Sequence, residues 1–413
     1  RVSVELERFG ISADDSAGQP LFATPAGTLA RLVIEAASGG TAISILAMLK
    51  HPLCGLGLPR AKIREGARAL ERAILRGPAL ATGSKNVSAA ITALQQQMRA
   101  DPKLRLNASQ KSLNGDEWDE ATRIAVVTTN ALHGFETWFA DAQARYPLGE
   151  LVDAHLHALQ NVLAGEDTAA LFANSEDGSV LIAAMTELRD LGPDARQLDI
   201  RASHYSDLLQ ALLGARPVRR QHALQDTDTR VQILGTLEAR LLHADHLVLG
   251  GLNENTWPAD GKTDPWLSRQ MRMQLGLNPP EQAIGLSAHD FVQLASKPNV
   301  VLTRSLLQDG APTQASRWLQ RLAAMIGETG QDALALRGQR LLALARRLDA
   351  PADATGLPVL RPSPKPAPEL RPKRLSVTEI ETLIRDPYAI YARHVLKLLP
   401  FDRIGETPDF ASR

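Results

Sequence analysis

The stretch that decides the fold is VQILGTLEARLLHADHLVLGGLNENTWP, residues 231–258, together with VVLTRSLLQDGAPTQASRWL, residues 300–319. It contains three short apolar runs, at residues 231–234, 247–249 and 300–302, with helix-like segments between them. Apolar strands that alternate with helices are typical of a parallel sheet whose two faces are covered. The pattern therefore predicts an α/β fold in this region.

The regions on either side of these strands are predicted to be helical. Residues 31–215 are rich in Ala and Leu with a spacing near 3.6, which indicates a run of helices, and a further helix is expected at residues 315–348. Seven prolines lie between Pro351 and Arg374 and predict a semi-rigid spacer. After the spacer, Ser376 and Glu379 form a cap signal for an amphipathic helix.

Composition limits the classes of protein to which the chain can belong. With 413 residues, 44% hydrophobic and 22% charged, a globular protein of two to three domains is expected. We expect a protein without membrane contact, because neither a signal-peptide layout nor a run of 18 apolar residues is present, and the use of only one cysteine fits a reducing, cytoplasmic compartment. The single cysteine, Cys54, excludes an internal disulfide and a cysteine-rich metal site. Lys and Arg together number 46, as do Asp and Glu together, so the net charge is zero. Binding to a polyanion would therefore need a local basic patch.

One such patch is a series of arginines at intervals of four residues. Its members are Arg60, Arg64, Arg68, Arg72 and Arg76. On an α-helix each step of four drifts by about 40°, so these side chains would form a gently spiralling stripe about 24 Å long. The stripe is suited to follow a phosphate backbone, but Glu65 and Glu71 beside it favour the alternative of a solvated charged face.

The sequence Asp260-Gly261-Lys262-Thr263 contains two short motifs that we interpret as a polar loop. A phosphate loop needs a glycine five residues before Gly261, where this chain has Thr256. The Asp-x-Lys half of a metal-dependent nuclease site needs a second carboxylate, and none is evident upstream. We expect the next helix to begin with Asp264 as its N-cap and Pro265 as its first residue.

Histidines do not predict a catalytic or metal site in this chain. His155 and His157 are two residues apart and would face different directions on a helix, whereas Asp153 and His157 would share a face as an ordinary pair. Ser203-His204 lacks a visible acid partner for a hydrolase triad. We therefore predict no catalytic residue and no metal ligand.

Residues 231–258 and 300–305 resemble the second RecA-like domain of UvrD-type superfamily 1 helicases. Within that superfamily the chain is similar to the alphaproteobacterial AddB family, the second subunit of the AddAB helicase–nuclease that processes double-strand breaks. The likeness covers essentially the whole chain. It is carried by KHPLCGLGLPR at 50–60, LEARLLHADHLVLGGLNENTWP at 237–258, DPWLSRQMRMQLGL at 264–277, IGLSAHDF at 284–291 and SRWLQRL at 316–322.

The resemblance implies an α/β architecture in which a RecA-like parallel sheet domain carries a large α-helical insertion. Residues 1–30 would begin the RecA-like domain, 31–222 would be the insertion, and 223–348 would return to the helicase domain. A Pro-rich linker at 349–374 would lead to the start of a truncated RecB-type nuclease domain at 375–413. The chain is accordingly expected to be a central to C-terminal part of a longer protein.

Two departures from the family pattern shape the expected chemistry. Active helicases have a Lys-Gly pair where this chain has Glu238-Ala239-Arg240, so motor function is expected to be vestigial. Many family members have an iron–sulfur cysteine where this chain has Asp386, so no cluster is expected. ATP and Mg²⁺ are implied for the full complex, a hydrolase acting on DNA, whereas this part alone is predicted to be inactive.

The resemblance implies a subunit of an ATP-dependent helicase and exonuclease acting in recombinational repair. Arg304 occupies the place of an arginine that reaches the nucleotide γ-phosphate, with a structural salt bridge as the alternative. DNA contacts are expected from Asn253, Trp257 and the five arginines, with an AddA-type subunit and single-stranded or broken duplex DNA as partners. The other interpretation of Trp257 is core packing behind a tight turn at Gly250 and Gly251.

The alternative function is a non-catalytic scaffold for the AddA partner without direct DNA contact. An autonomous nucleotide hydrolase is disfavoured because no complete phosphate loop is present.

Overall fold

The computed structural model describes residues 2–141, 143–190, 198–219, 230–259, 266–350, 363–398 and 400–405. The described residues are mostly helical, at 61%. Every sheet formed by the described residues has two strands, so the large parallel sheet predicted from the apolar runs is not among them. Each of these runs forms a strand of only three residues.

The chain divides into two units, which we call the sheet unit and the helical unit. The sheet unit comprises residues 1–5 and 231–363, and the helical unit comprises residues 6–230 and 364–413. The boundaries at 30, 222, 348 and 374 that the family resemblance implies stay predictions.

The helical unit confirms the run of helices predicted for residues 31–215. After α1 (Val2–Arg8), which opens the chain, its helices are α2 (Pro25–Ser38), α3 (Ala42–Leu49), α4 (Arg60–Leu70), α5 (Ser84–Ala100), α6 (Ala108–Lys111), α7 (Gly115–Glu136), α8 (Leu148–Leu163), α9 (Glu166–Ala173), α10 (Glu176–Arg189) and α11 (Tyr205–Leu213). Its short strands are β1 (Ala13–Asp15), β2 (Gln19–Pro20), β3 (Arg145–Pro147), β4 (Asp199–Arg201) and β5 (Pro217–Val218), with β2–β5 and β3–β4 antiparallel. Short 3-10 turns lie at Leu21–Ala23, Thr137–Phe139 and Ala202–His204.

Helix α7 is the centre of the helical unit, since it packs against α4, α5, α8 and α2. It begins with a capping box, in which the Asn114 side chain accepts from the Glu117 amide at 2.8 Å and Glu117 accepts from the Asn114 amide at 2.9 Å. Gly66 allows α4 to approach closely, because a Cβ there would lie 3.0 Å from the Cβ of Ile124. The buried face of α7 includes Ile124, Leu132 and Phe135.

The helix that carries the arginine series is shorter than predicted. Helix α4 ends at Leu70, and Glu71–Leu75 is a π-helical turn closed by an i→i−5 hydrogen bond from the Arg76 amide to the Glu71 carbonyl at 3.1 Å. The 11 α-helical residues span only about 16 Å. Arg72 and Arg76 therefore do not continue the regular spiral that the 3.6-residue period predicted.

The sheet unit is built around one parallel strand pair. It contains β6 (Val231–Ile233), a 3-10 turn at Glu238–Leu241, β7 (Leu247–Leu249), α12 (Arg269–Gln274), α13 (Pro280–Ala295), β8 (Val300–Leu302), β9 (Leu307–Gln308), β10 (Ala311–Pro312) and α14 (Arg317–Asp349). Strands β7 and β8 are parallel with Val248 opposite Val301, and α13 makes the connection between them. Leu249, Leu252, Phe291 and Trp318 form its small core.

The helix predicted at residues 315–348 corresponds to α14, but this helix is kinked. Gly327 adopts φ 67° and ψ −179°, which is a conformation that favours glycine. Ser316 is the N-cap, and its side chain accepts a hydrogen bond from the Trp318 amide at 3.2 Å. Within the described ranges, none of the helices combines the length and the apolar character needed to cross a bilayer.

The C-terminal residues of the helical unit confirm the predicted cap signal. After a 3-10 turn at Pro368–Leu370 come α15 (Val377–Arg385), α16 (Pro387–Ile390) and a π-helical turn at Tyr391–Val395. Ser376 and Glu379 form a capping box at the start of α15, with the Ser376 amide 2.9 Å from Glu379 Oε2. Asp386, which stands where many relatives in the resembled family have a cysteine, is the N-cap of α16 and accepts from the Ala389 amide at 3.3 Å.

Candidate nucleic-acid interface

The loops that follow β7 and β8 are joined at the carboxyl end of the parallel pair. The Thr303 amide donates to the Leu249 carbonyl at 2.9 Å, and the Leu252 amide donates to the Thr303 carbonyl at 3.1 Å. The Asn253 side chain then binds both backbone groups of Ser305: Nδ2 donates to its carbonyl at 3.0 Å, and Oδ1 accepts from its amide at 3.1 Å. Asn253 is buried, so both polar ends of its amide are used inside the protein.

The start of α14 is attached to the same loop. Glu254 forms an ion pair with Arg317 and also accepts from the Arg317 amide at 2.9 Å. The hydrogen bond from the Arg317 side chain lowers the pKa of Glu254, against the opposing effect of burial. The Ser316 amide donates to the Leu252 carbonyl at 2.9 Å. These contacts make the two loops and the first turn of α14 one connected structure.

Trp257 lies inside this connected structure, half-buried. Its ring meets Phe291 of α13 edge to face, with the ring centroids 6.1 Å apart, and its carbonyl accepts a hydrogen bond from Ser316 Oγ at 2.5 Å. Gly251 has φ 72°, as a tight turn after β7 requires. The packing interpretation of Trp257 therefore accounts for its position, and its stacking on a nucleic-acid base stays a prediction.

Arg304 is exposed just beyond β8, next to the joined loops. Its Nη1 lies 3.4 Å from the carbonyls of Ser305 and Thr313 and 3.5 Å from Thr313 Oγ1. These distances exceed those of well-formed N–H···O bonds, so the contacts hold the guanidinium weakly. The arrangement leaves a cation facing solvent at the carboxyl edge of a parallel strand pair, where ligands of α/β sheets usually bind.

Arg240, in the position that departs from the helicase pattern, is engaged inside the sheet unit. Its Nε lies 2.7 Å from Asp290 Oδ1, and its Nη2 lies 3.1 Å from Asp290 Oδ2. The Asp290 carboxylate is almost fully buried, and the hydrogen bond from Arg240 lowers its pKa. The bidentate pair fixes the 3-10 turn on α13, so this guanidinium is occupied by a structural contact.

The arginine series of the helical unit separates into two groups. Arg64 and Arg68 are exposed on α4 and make no ion pair or side-chain hydrogen bond with the residues that the structure describes. Arg60 is half-buried at the first position of α4 and lines a surface groove with Glu166 and Asp167 of α9. The free positive charge of the series is therefore concentrated on Arg64 and Arg68.

Arg72 and Arg76 are used in internal contacts. Arg72 lies 2.9 Å from Glu117 Oε1 and donates to the Ser112 carbonyl at 2.6 Å. Arg76 Nε lies 3.0 Å from Glu71 Oε1, and Nη1 donates to the Asp402 carbonyl at 2.9 Å. The Arg76 guanidinium also lies over the Phe401 ring, 5.1 Å from its centroid.

Glu71, predicted only as an acidic neighbour of the arginine series, has a structural role in this region. Its buried carboxylate accepts from Arg76 and from Lys50. Burial acts to raise the pKa of Glu71, but the hydrogen bonds from Lys50 and Arg76 outweigh it and leave that pKa below its usual value. The sequence contains one indication that Glu71 is buried: on a helical projection it falls beside the apolar face that contains Ile74.

His155 is a structural residue of the helical core. It is completely buried and stacks on Phe135 with 5.2 Å between ring centroids. Its Nε2 lies 3.0 Å from the Ala30 carbonyl and its Nδ1 lies 3.3 Å from the Tyr205 hydroxyl. His157 is exposed, and Asp153 pairs with Arg189 at 3.6 Å. The proposed Asp153–His157 pair is thus replaced by an ion pair to α10.

The loop motifs Asp260, Gly261, Lys262 and Thr263, and the expected helix start at Asp264 and Pro265, lie outside the described residues. Helix α12 begins at Arg269 with Ser268 as its N-cap.

Comparison with known proteins places the chain beside three proteins of Rickettsia. No family model matches it. An uncharacterized protein of Rickettsia conorii is 28% identical over 185 residues, which are 45% of this chain and 21% of that protein. An uncharacterized protein of Rickettsia felis is 30% identical over 166 residues, 40% of this chain and 19% of that protein. A third, from Rickettsia bellii, is 60% identical over 37 residues, 9% of this chain and 4% of that protein. The matched part of the chain thus spans about a fifth of the first two relatives.

Proposed function

We propose that the chain is part of an AddB-like subunit of a DNA helicase–nuclease, in which it holds single-stranded DNA and does not drive the motor. The proposal includes a RecA-like origin for the sheet unit, a cytoplasmic location and a role in double-strand break repair. ATP and Mg²⁺ belong to the complete complex in this proposal, and no catalytic step is assigned to the described residues.

The observation that carries the proposal is the parallel pair β7–β8 with its joined loops. Both loops leave the carboxyl ends of adjacent parallel strands, and Asn253 fixes the second loop on the first. Exposed Arg304 lies in the second loop, next to Ser305, and its guanidinium is held only weakly by protein contacts. A rigid edge that presents a cation is suited to bind a phosphate group.

The helical unit supplies a second cationic surface, made by Arg64 and Arg68. Their side chains are one helical turn apart on the exposed face of α4, so their Cβ atoms are about 5–6 Å apart. Successive phosphates of an extended single strand have a similar spacing. Because neither guanidinium is used inside the described structure, binding to phosphate would not require an existing ion pair to be broken.

The test measures the anisotropy of labelled single-stranded DNA titrated with this chain across a series of salt concentrations. For single strands the slope of log affinity against log salt is about −0.7 for each phosphate neutralised. The variant Arg64→Ala/Arg68→Ala is expected to weaken binding and to reduce the slope by about 1.4.

The matched control is Arg145→Ala/Arg201→Ala, which removes the same charge from an exposed, directly opposed pair on β3 and β4. It is expected to leave the slope unchanged. If the DNA fails to bind at low salt, the strand-holding proposal is wrong. If the two double variants behave alike, the Arg64–Arg68 surface has no part in it.

A scaffold without DNA contact is the second candidate, and a specific observation favours it. Arg72, Arg76 and Arg240 all form contacts within the protein, and the net charge of the chain is zero. Absence of DNA binding, combined with stable copurification of the chain with an AddA-type subunit, would support this candidate.

A further inference from the structure

An extended segment of the helical unit, residues 401–405, lies against the π-helical turn that follows α4, and we call it the strap. Arg76 and Ile404 face each other in an antiparallel bridge. Two backbone hydrogen bonds flank this bridge: the Gly77 amide donates to the Arg403 carbonyl at 2.8 Å, and the Gly405 amide donates to the Leu75 carbonyl at 3.0 Å. Bonds on both sides of an opposed pair are the pattern of an antiparallel sheet, so the strap pairs with residues 75–77 as a strand would.

The Arg76 side chain joins the strap to the turn. Its Nε lies 3.0 Å from Glu71 Oε1, and its Nη1 donates to the Asp402 carbonyl at 2.9 Å. The guanidinium also lies over the Phe401 ring, 5.1 Å from the ring centroid. A planar guanidinium has donors in a fixed fork and a face that stacks on rings, so one arginine serves the carboxylate, the carbonyl and the ring together.

Helices α15 and α16 and the π-helical turn at Tyr391–Val395 form a small body just before the strap. Helix α16 packs against α15 and against this turn, and His394 Nε2 lies 3.0 Å from Glu379 Oε1 of α15. Ile390 of α16 is buried, but it lies outside the large core that the described residues of the helical unit form. Ile404 of the strap does pack against that core. The strap thus attaches these C-terminal helices to the rest of the unit.

Few buried groups hold the strap in place. The Phe401 side chain is 55% exposed, and Ile404 is only half-buried. Leu132 of α7, by contrast, is completely buried. Segments with few buried apolar contacts and exposed backbone hydrogen bonds open at a lower free energy than the core of the same protein. The strap should therefore open more readily than α7.

From these contacts we infer that the strap is a releasable attachment, which holds α15 and α16 on the π-helical turn and opens as one unit while the helical core stays folded. Opening frees the C-terminal helices from this turn and exposes the backbone groups of residues 75–77. Arg76 then keeps Glu71 as its partner but loses the Asp402 carbonyl and the Phe401 ring, so it is a positioning residue. The inference does not depend on the DNA-binding proposal.

The test measures native-state hydrogen exchange of this chain, with each rate corrected for the intrinsic rate of that amide. The amides of Gly77 and Gly405 donate the two flanking hydrogen bonds, and we call them the pairing amides. We expect them to exchange through one common opening, at least about a hundredfold faster than the Leu132 amide. Low urea concentrations should accelerate the Leu132 amide far more than the pairing amides, since opening of the strap exposes little surface.

Two variants change the two sides of the attachment. Phe401→Ala removes the ring under the guanidinium and is expected to accelerate the pairing amides by about fivefold. Arg76→Lys keeps a cation beside Glu71 but loses the planar fork, and the expected acceleration is about tenfold. The matched control is Leu398→Ala, which removes a side chain that is 59% exposed just before the strap and should leave the pairing amides unchanged. In all three variants the Leu132 amide should keep its parent rate, which checks that the core is folded.

A distance measurement tests the release of the helices. Gly405→Pro removes an amide donor of the strap, and proline cannot adopt the φ of 58° found there, so this variant keeps the strap open. Spin labels on Ile384→Cys in α15 and Ile43→Cys in α3 occupy exposed positions, whereas Cys54 is buried. The distribution of distances between the two labels is expected to be broader with Gly405→Pro than without it.

Three results would overturn the inference. Exchange of the pairing amides at the rate of the Leu132 amide would show that the strap opens only when the core unfolds. Equal acceleration by Phe401→Ala and Leu398→Ala would show that the Arg76 contacts do not hold the strap. An unchanged distance distribution in Gly405→Pro would show that other contacts hold α15 and α16.

Discussion

The side-chain amide of Asn253 pairs with the backbone of Ser305 through two hydrogen bonds, 3.0 Å from Nδ2 to the carbonyl and 3.1 Å from the amide to Oδ1. The two residues are 52 positions apart and follow adjacent parallel strands. Asparagine suits this position because one side chain supplies both a donor and an acceptor. The two hydrogen bonds resemble those between neighbouring strands of a β-sheet, and they lie beyond the ends of β7 and β8.

Replacing Asn253 with alanine is expected to loosen the loop that carries Arg304. The substitution leaves the Ser305 amide without its acceptor, at a cost of about 1–3 kcal/mol, whereas the Ser305 carbonyl keeps the Thr313 hydroxyl as a donor. Hydrogen exchange at the Ser305 amide should accelerate by about tenfold or more, since 1.4 kcal/mol corresponds to a factor of ten. Thr256→Ala, an exposed change in the same loop, is the control and should leave this rate unaltered. Unchanged exchange in Asn253→Ala would show that the loops are joined by other contacts.

Glu71 is expected to contribute more to stability than an exposed glutamate on the preceding helix α4. Glu71→Gln removes the anionic partner of Lys50 and Arg76 at a buried site, and we expect a loss of about 1–3 kcal/mol in the free energy of unfolding. The control is Glu65→Gln, which breaks the exposed Lys62–Glu65 pair of 2.8 Å and should cost less than about 1 kcal/mol. Urea unfolding at pH 7 distinguishes the two variants.

The Glu71 contribution should also depend on pH in a defined direction. Its pKa is lower in the folded state than its ordinary value of about 4.3, so the folded state favours the carboxylate. The stabilisation is complete above that ordinary value and is lost as the pH falls through the lowered folded pKa. The difference between the parent chain and Glu71→Gln should therefore shrink below about pH 4. A difference that stays constant into acid would contradict the ionic interpretation.

The helices of residues 31–215 were predictable because their apolar residues repeat at the helical period over long segments. The capping residues Ser376 and Glu379 were predictable for a similar reason, since a capping box is a local pattern. The arginine series shows where such reasoning fails. Its interval of four assumes an uninterrupted α-helix, whereas a π-helical turn follows Leu70 and tertiary partners bind Arg72 and Arg76.

The parallel strands could likewise be predicted as single elements, whereas their arrangement in a sheet could not. The apolar runs at β6, β7 and β8 were correctly identified as strands, but run composition does not state how many strands share a sheet. The pairing of Asn253 with Ser305 was also beyond local patterns, since it depends on the register of β7 against β8. Asn253 was singled out as a DNA contact, and the structure shows a second use for the same side chain inside the protein.

His155 is expected to make the helical unit sensitive to acid. Burial lowers the pKa of His155 to about 4, against the raising effect of its hydrogen bond to the Ala30 carbonyl. An unfolded histidine takes up its proton near pH 6.5, so between about pH 6.5 and 4 the unfolded state binds more protons. Stability should therefore fall as the pH drops through this window, and a difference of this size is worth about 3 kcal/mol.

The variant His155→Gln should lower stability at pH 7 and remove this part of the pH dependence. His157→Gln changes an exposed histidine two residues away and is expected to leave the pH dependence intact. His51, whose pKa burial also lowers, keeps its contribution in both variants. Free energies of unfolding measured from pH 7 to pH 4 would contradict the assignment if the two variants had the same slope.

Cys54 should report the opening of the helical unit, because its thiol is unreactive while the unit is folded. The side chain is buried, and burial raises the pKa of the thiol to about 12. The segment around it is fixed on α8 by a hydrogen bond from the Gly55 amide to the Val162 carbonyl at 2.8 Å. Because only the thiolate attacks a disulfide reagent, modification by an aromatic disulfide at pH 8 should be slower than in the urea-unfolded chain by a factor of about a thousand or more. The chain has one cysteine, so the absorbance change has a stoichiometry of one and no competing site.

The rate of thiol modification should rise with urea as the population of the open state grows, and Glu71→Gln should raise this rate further because Glu71 stabilises the same unit. Rapid modification that is independent of urea would show that the segment around Cys54 opens without unfolding of its surroundings.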